Sequence, residues 1–320
     1  MAKQWNPAQM PSQAGKRFLI TGANSGIGYS AAVELARHGA QVVMLCRDRT
    51  RGEDALRRLR VEADGKDSAA SIAELVLLDL ASLDSVRAAA EQECARGAAV
   101  HGLINNAGLY GTPKRLETRD GFELLFGTNV LGHFALTCQL IPALDRERAT
   151  SQVDAPRVVT VSSVAHRGGR IDFDDLQALR HYTPHGTYAQ SKLADLMFSF
   201  ELERRLRASS RSAVSIAVHP GVARSNIFKL GSGKGLAGSV ERGIQAFVGT
   251  FLNSEAEGAI PTLYAATAID AKGGAYYGPT GMQELRGGDV GPARVAKRAL
   301  DEAAQRRLWD TCAELSGCTI

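Results

Sequence analysis

The sequence lacks a long apolar run: no stretch approaches the roughly 18 consecutive apolar residues of a membrane-spanning helix. The first residues are polar and include Pro7 and Pro11, a pattern unlike a secretory signal or an anchor. Charge of one sign is also scarce, because 38 basic residues accompany 34 acidic ones. Neither nucleic acid nor an acidic membrane is indicated as a partner. We therefore expect a cytoplasmic protein without a membrane anchor.

Cysteine is scarce as well, and what there is forms no pattern. The five cysteines are an odd number, contain no C-x-x-C pair and have no histidines at metal-ligand spacing. A disulfide framework and a metal site are thus not indicated, and free thiols in a reducing compartment are expected. The chain also has no low-complexity linker and no internal repeat. We predict a polar tail over 1–15 and a single domain over 16–320.

The sequence does contain a regular alternation of short apolar runs with amphipathic segments of helix length. Continuous apolar runs indicate strands buried on both faces, and strand–helix alternation indicates parallel pairing. We predict an α/β fold with a doubly wound parallel sheet of about seven strands and helices on both faces. The predicted strands are 17–21, 41–46, 73–78, 102–105, 157–162 and 214–219, with a further strand within 273–291. Ligands bind such sheets at the carboxyl ends of the strands.

A glycine-rich turn follows the first predicted strand and reads Thr-Gly-Ala-Asn-Ser-Gly-Ile-Gly. Gly22 allows a sharp turn, while Gly26 and Gly28 allow backbone to approach a pyrophosphate and the next helix to pack on the strand. The first N–H groups of that helix would hold the anion. An ordinary tight turn is the alternative. We predict a phosphate site formed by Gly22, Asn24, Ser25, Gly26, Ile27 and Gly28.

The end of the second strand bears on which nicotinamide cofactor binds. An NAD-binding chain would place Asp or Glu there against the ribose 2′-OH, but this chain has Cys46 followed by Arg47. The guanidinium of Arg47 can bond a 2′-phosphate. Asp48 could take the ribose hydroxyl instead, although we expect it to cap the following helix. NADP(H) is therefore favoured over NAD(H).

Two further strand ends carry groups suited to a nucleotide. Asp79 can accept from the adenine amino group, with Leu80 lining the ring, although capping the next helix is an equally good role for Asp79. After the fourth strand, side-chain amides and small residues would let backbone approach the cofactor. The predicted contacts at these ends are Asp79, Leu80, Asn105, Ala107 and Gly108.

Four more residues have the chemistry of a reacting site. Tyr188 and Lys192 lie four apart in a predicted helix and share a face. An ammonium stabilises a neighbouring phenolate, so such a pair can exchange a proton near neutrality. Ser163 ends the fifth strand. Asn129 lies among apolar residues in a helix predicted over 122–140, so it is expected to be buried and to need hydrogen-bond partners.

In this order and combination the motifs resemble the short-chain dehydrogenase/reductase family, from about Lys16 to the C-terminus. They are Thr21-Gly22-(x)3-Gly26-Ile27-Gly28, Asn105-Asn106-Ala107-Gly108, Asn129, Ser163, Tyr188-(x)3-Lys192 and Pro220-Gly221. Within the family, Cys46-Arg47-Asp48, Ser162-Ser163-Val164-Ala165-His166, His219-Pro220-Gly221-Val222 and Leu308-Trp309 look like the retinol dehydrogenase branch, to which protochlorophyllide reductases are related. The resemblance implies a single-domain Rossmann fold that binds NADP(H).

The resemblance also implies roles for the four reacting residues. Tyr188 would be the acid/base, and Lys192 would support it and hold the nicotinamide ribose. Ser163 would orient the carbonyl or alcohol, and Asn129 would hold a proton-relay water. No metal is implied. Further cofactor contacts would come from Pro220, Gly221, Val222 and Ser225.

The resemblance implies a mobile substrate lid at 224–252, and the glycines and apolar residues of this segment suit that role. A surface helix that packs on the core is the alternative. We therefore expect a small-molecule substrate, a bulky apolar aldehyde, ketone or alcohol. Two alternatives stay open: reduction of a conjugated C=C bond, and a non-catalytic NADP(H)-sensing protein on the same fold. The helical region 292–317 has an apolar face, which should pack on the domain or form a homo-oligomer.

Overall fold

The computed structural model of the chain describes residues 5–63, 73–147, 154–222, 253–287 and 289–320. The predicted lid at 224–252 and the predicted cofactor contact at Ser225 lie outside these residues.

Eight strands form one sheet in the order β3-β2-β1-β4-β5-β6-β7-β8. They are β1 (Arg17–Thr21), β2 (Gln41–Cys46), β3 (Ala73–Leu77), β4 (Gly102–Asn105), β5 (Arg157–Val161), β6 (Val214–Val218), β7 (Tyr276–Pro279) and β8 (Val290–Pro292). All neighbours pair in parallel except β7 and β8, which are antiparallel. The predicted doubly wound sheet is confirmed. The sequence indicated about seven strands, and the short edge strand β8 is an addition to them.

In the described part of the chain, seven α-helices cover the two faces of the sheet. They are α1 (Gly26–Arg37), α2 (Arg49–Glu62), α3 (Leu83–Ala95), α4 (Gly132–Leu144), α5 (Pro184–Ala208), α6 (Glu255–Thr267) and α7 (Glu302–Ser316). One hydrophobic core contains residues of α1, α2 and α6, and the other contains residues of α3, α4, α5 and α7. Successive β1 residues alternate between them, because Leu19 packs in one core and Ile20 in the other.

The helix predicted over 122–140 begins later and less regularly than expected. A π-helical turn at Phe126–Leu131 precedes α4. The side chain of Glu123 accepts from the backbone N–H groups of Leu125 and Phe126, at 3.0 and 2.7 Å, and so starts the helix there. Asn129 lies within the π-helical turn rather than in regular α-helix. Such turns often occur at functional sites.

Residues near both ends of the described chain pack against the domain. Trp5 is buried and its ring meets that of Tyr264 in α6 at 5.6 Å, so part of the N-terminal segment belongs to the core despite its polar sequence. At the other end, Trp309 of α7 packs on Phe134 and Phe198. The apolar face expected in 292–317 included Leu300 and Leu308. Leu308 packs inward from α7, but Leu300 lies before the helix and is exposed. No helix in the described part of the chain is both long and apolar enough to span a membrane.

Candidate active site

A cavity of about 550 Å³ opens at the carboxyl ends of the central strands. This is where a doubly wound sheet binds ligands. It brings together residues predicted from distant parts of the sequence: Gly22, Asn24, Ser25, Gly26, Ile27, Gly28, Arg47, Asp79, Leu80, Ala107, Gly108, Ser163, Tyr188, Lys192, Pro220, Gly221 and Val222. Two predicted residues, Asn105 and Asn129, do not line it and are buried behind it.

The glycine-rich turn has the geometry of an anion site. Gly22 and Gly26 have φ angles of 66° and 62°, which other residues rarely adopt. A Cβ at Gly28 would lie 2.8 Å from the carbonyl oxygen of Gly22, so glycine is needed there. Ser25, the N-cap of α1, makes no side-chain capping bond. The first N–H groups of α1 therefore keep the capacity to bind a phosphate, and the residues present fit the pyrophosphate of a dinucleotide.

The tip of β2 places two arginines at the cavity. Arg47 and Arg51 both line it and are exposed. The sequence interpretation named Arg47 but missed Arg51, although Arg51 lies four residues later at the start of α2. Asp48 caps α2 by accepting from the backbone N–H of Arg51 at 2.9 Å, which confirms its expected structural role.

Asp79 does not cap the next helix, because Ser82 is the N-cap of α3. The Asp79 carboxylate instead accepts from the N–H of Ala81 at 3.1 Å and lines the cavity. The capping alternative for Asp79 is therefore wrong. At the end of β4, the side chain of Asn105 donates to the hydroxyl of Thr137 at 2.9 Å and ties β4 to α4. Its neighbour Asn106, not Asn105, lines the cavity.

Tyr188 and Lys192 lie on one face of α5 and both line the cavity. The Lys192 ammonium donates to the carbonyl oxygen of Val161 at 3.0 Å and to the Asp195 carboxylate at 2.8 Å. The buried Tyr188 ring lies 4.8 Å, centre to centre, from the ring of Tyr110. The expected pairing of a phenol and an ammonium on one helix face is thus present, with a carboxylate beside the ammonium that the sequence interpretation did not include.

Ser163 follows β5 and lines the same cavity. Its hydroxyl oxygen accepts from the N–H of Ala165 at 3.2 Å, which leaves its O–H free to donate. The preceding Ser162 has a different role, because its hydroxyl donates to the carbonyl oxygen of Lys192 at 2.6 Å. Of the two serines that follow β5, one anchors α5 and the other offers a donor to a ligand.

Asn129 is fully buried and holds the loop after β4 against α5. Its side-chain oxygen accepts from the N–H of Leu109 at 2.8 Å. Its amide donates to the carbonyl oxygen of Leu109 and to the hydroxyl of Ser191, both at 3.0 Å. Both amide N–H groups are therefore used within the protein. A relay water at Asn129, which the resemblance implied, stays a prediction and would have to use its oxygen lone pairs.

His133 was missed by the sequence interpretation. Its Nδ1 lies 2.8 Å from the carbonyl oxygen of Asn129, and its Nε2 lies 2.9 Å from the hydroxyl of Thr21. That hydroxyl already accepts from the N–H groups of Asn106 and Ala107, so it must donate to Nε2. His133 is therefore neutral with its proton on Nδ1, and burial lowers its pKa to about 4. The available signal was a histidine four residues after Asn129 on an apolar helix.

A second buried histidine supports the turn after β6. Nδ1 of His219 accepts from the N–H of Gly221 at 3.1 Å, and Nε2 lies 3.4 Å from the Glu284 carboxylate. Burial lowers the pKa of His219 to about 3, so the ring is neutral. Asn253 donates to the carbonyl oxygen of Pro220 at 3.0 Å. The Pro220–Gly221 wall of the cavity is thus held from two sides.

The described residues contain no cluster of side chains suited to a metal.

Comparison with known proteins agrees with this geometry. The family model described as short chain dehydrogenase matches residues 16–230. The chain belongs to the short-chain dehydrogenase family. It is 39% identical to mouse polyprenol dehydrogenase over 98% of this chain and 87% of that protein. It is 38% identical to human retinol dehydrogenase 14 over 92% of this chain and 84% of that protein.

Among solved structures, this short-chain dehydrogenase is similar to an uncharacterised protein from Mycobacterium paratuberculosis. The two are 38% identical, each is covered over 98% of its length, and the TM-score is 0.77. The chain is therefore an oxidoreductase that binds a nicotinamide cofactor and resembles retinol dehydrogenases.

Proposed function

We propose that this protein is an NADP(H)-dependent oxidoreductase that interconverts a bulky apolar aldehyde or ketone and the corresponding alcohol. The observation that carries the proposal is that Tyr188, Lys192 and Ser163 line the same cavity as the glycine-rich turn. A proton donor, its supporting ammonium and a hydroxyl donor therefore share one cavity with the phosphate site.

In the direction of reduction, a dinucleotide held by the glycine-rich turn would supply the hydride for the carbonyl carbon. Ser163 donates a hydrogen bond to the carbonyl oxygen and orients it. Tyr188 transfers its phenolic proton to that oxygen, and the alcohol leaves with one hydride and one proton added. The Lys192 ammonium stabilises the phenolate that forms. In alcohol oxidation the same proton moves from the alcohol to the Tyr188 phenolate.

The preference for NADP(H) rests on the charge at the tip of β2. Arg47 and Arg51 both line the cavity and can bond a 2′-phosphate. The nearest carboxylate, Asp48, is engaged by the N–H of Arg51. The strand itself ends in the neutral Cys46, whose thiol pKa is raised to about 12 by burial. Asp48 also lines the cavity, but it caps α2 through Oδ1, and the two guanidinium groups leave a net positive charge at this strand end that favours a 2′-phosphate.

The preference for an apolar substrate rests on the wall beyond Tyr188. Leu109, Tyr110, Val164 and Ala165 line the cavity there. The similar proteins named polyprenol dehydrogenase and retinol dehydrogenase are consistent with this choice, since both names specify apolar alcohols. His185 also lines the opening, where its Nδ1 lies 3.5 Å from the Tyr110 hydroxyl.

The test is NADPH consumption with a panel of apolar and polar aldehydes and ketones, together with enones. Turnover of apolar carbonyls, with the alcohol as product and full loss in Tyr188→Phe, is expected. NADPH binding should survive in that variant, because the phenol is needed for the proton and not for the dinucleotide. Reduction of the enone at C=C would replace the proposed reaction. Tight NADPH binding without turnover of any compound would indicate a sensor.

A further inference from the structure

Lys192 carries a buried partner that the proposed mechanism does not use. Asp195 lies one helical turn further along α5, and its carboxylate accepts from the Lys192 ammonium at 2.8 Å. The two side chains are only 6% and 3% exposed. Burying an ion pair gains little stability over apolar residues of the same volume. Its position directly behind a reacting group therefore calls for a functional explanation.

The Lys192 ammonium has three N–H bonds. Two of them are directed to protein groups, the carbonyl oxygen of Val161 at 3.0 Å and the Asp195 carboxylate. Lys192 also lines the cavity, where its Nζ would lie 3.5 Å from a Cβ at Gly108. Fixing two donors leaves the third for the cavity. The carboxylate thus sets both the charge and the rotation of the ammonium.

The other ionisable groups that interact electrostatically with the pair do not replace the carboxylate. Tyr188 lies on the same helix, His133 on α4 and Cys312 on α7. His133 is neutral in the hydrogen-bond network described above. Burial, with a smaller contribution from Asp195, raises the pKa of the Cys312 thiol, so it too is neutral. Among the described residues, Asp195 is thus the carboxylate that compensates the Lys192 charge.

We propose that Asp195 is a positioning residue for the reaction, a buried counter-ion that keeps Lys192 protonated and aims its free N–H at the cavity. This inference rests on the proposed function, because it assigns a role within the same site. Burial raises the pKa of Asp195 to about 6, and the Lys192 ammonium opposes that rise. The carboxylate is therefore charged at neutral pH. For Lys192, burial lowers the pKa, but Asp195 and, to a smaller extent, Tyr188 together outweigh this, so the net pKa is raised.

The test is the pH profile of alcohol oxidation in Asp195→Asn, which keeps an oxygen acceptor for the ammonium and removes the charge. The basic limb of the kcat/KM profile should move to lower pH, by about one unit or more. The basic limb moves because a buried ammonium without its counter-ion loses its proton more easily. NADPH affinity, followed by Trp-to-NADPH energy transfer, should weaken at the same basic limb.

Glu201→Gln is the matched control. Glu201 is also buried on α5 and pairs with Arg204 and Arg205, but it does not line the cavity. This variant should lose stability without moving either limb. The proposal would be overturned if the kcat/KM–pH profile of Asp195→Asn overlaid that of the wild type. It would also be overturned if kcat/KM fell at every pH without a shift of the profile along the pH axis. Failure of the wild type to bind NADPH would instead overturn the proposed function.

A stability cycle covers the case in which Asp195→Asn does not fold. Lys192→Met alone leaves the carboxylate buried without its partner, so its Tm should fall. Adding Asp195→Asn to Lys192→Met should raise the Tm again, because the buried charge is removed. A double variant less stable than Lys192→Met would show that Asp195 has a different partner and would contradict the inference.

Discussion

Replacing His133 by Phe should destabilise the protein and loosen the cavity, because the ring connects two walls of the site. The hydroxyl of Thr21 and the carbonyl of Asn129 would each lose a partner. A buried polar group left unsatisfied costs about 1–3 kcal/mol. The Thr21 hydroxyl lies 3.4 Å from the carbonyl oxygen of Ile104 and can still donate to it, which reduces the cost at Thr21. We therefore expect the free energy of unfolding to fall by about 2–4 kcal/mol in total.

The comparison variant is His133→Gln, whose amide supplies one donor and one acceptor at a spacing close to that of the ring nitrogens. His133→Gln should recover much of the free energy of unfolding that His133→Phe loses. Urea unfolding measures the free energy, and NADPH titration measures whether the glycine-rich turn keeps its position. His181→Phe is the control, since His181 is exposed. His133→Phe as stable as the wild type, with unchanged NADPH affinity, would refute the assigned network.

The pH dependence of stability gives an independent check on His133. Its pKa is lowered from 6.5 to about 4 by burial. Between these two pH values the unfolded chain binds a proton at His133 and the folded chain does not, so stability falls as the pH drops from 6.5 towards 4. This pKa shift lowers the free energy of unfolding by about 3 kcal/mol at the acid end. His133→Gln should lack this part of the acid decline. An equally steep decline in that variant would mean that other groups cause it.

Three further predictions concern the cofactor and substrate walls. Arg47→Ala and Arg51→Ala should each weaken the binding of NADPH by about 1.5–3 kcal/mol more than the binding of NADH. Equal losses for both cofactors in binding titrations would show that the arginines have a structural role only. Gly28→Ala should destabilise by about 1–3 kcal/mol and weaken dinucleotide binding, since its Cβ would lie 2.8 Å from the Gly22 carbonyl; a fully stable variant with normal affinity would contradict this. Along a series of unbranched aldehydes kcat/KM should rise by up to about 0.8 kcal/mol per buried CH₂, and a flat series would contradict an apolar pocket.

The sequence by itself determined the parallel sheet and the position of most of the site. Its apolar runs end within a residue of β1 to β6, because strands buried on both faces need continuous apolar residues. The glycines of the turn after β1 are dictated by local backbone conformation, so they are readable without a fold. The Tyr188–Lys192 pair is readable for the same reason, since a spacing of four fixes a shared helix face.

Tertiary structure decided what those residues contact. A helical pattern predicted 122–140 but could not show the π-helical turn, since that depends on Glu123 capping the chain from within the fold. Nor does local pattern place His133 against Thr21, 112 residues away. Short edge strands such as β8 carry too little periodicity to be recognised.

The same division applies to Arg51, which lines the cavity, and to Asp195, which pairs with Lys192. Arg51 and Asp195 look in sequence like ordinary polar positions of helices α2 and α5. Arg51 reaches the cavity because β2 and α2 meet at the carboxyl edge of the sheet, whereas Asp195 is buried because α5 packs between the sheet and α7. Spacing fixes which residues share a face of one element. Only the packing of elements fixes which of those faces meet, and therefore which charges are buried together.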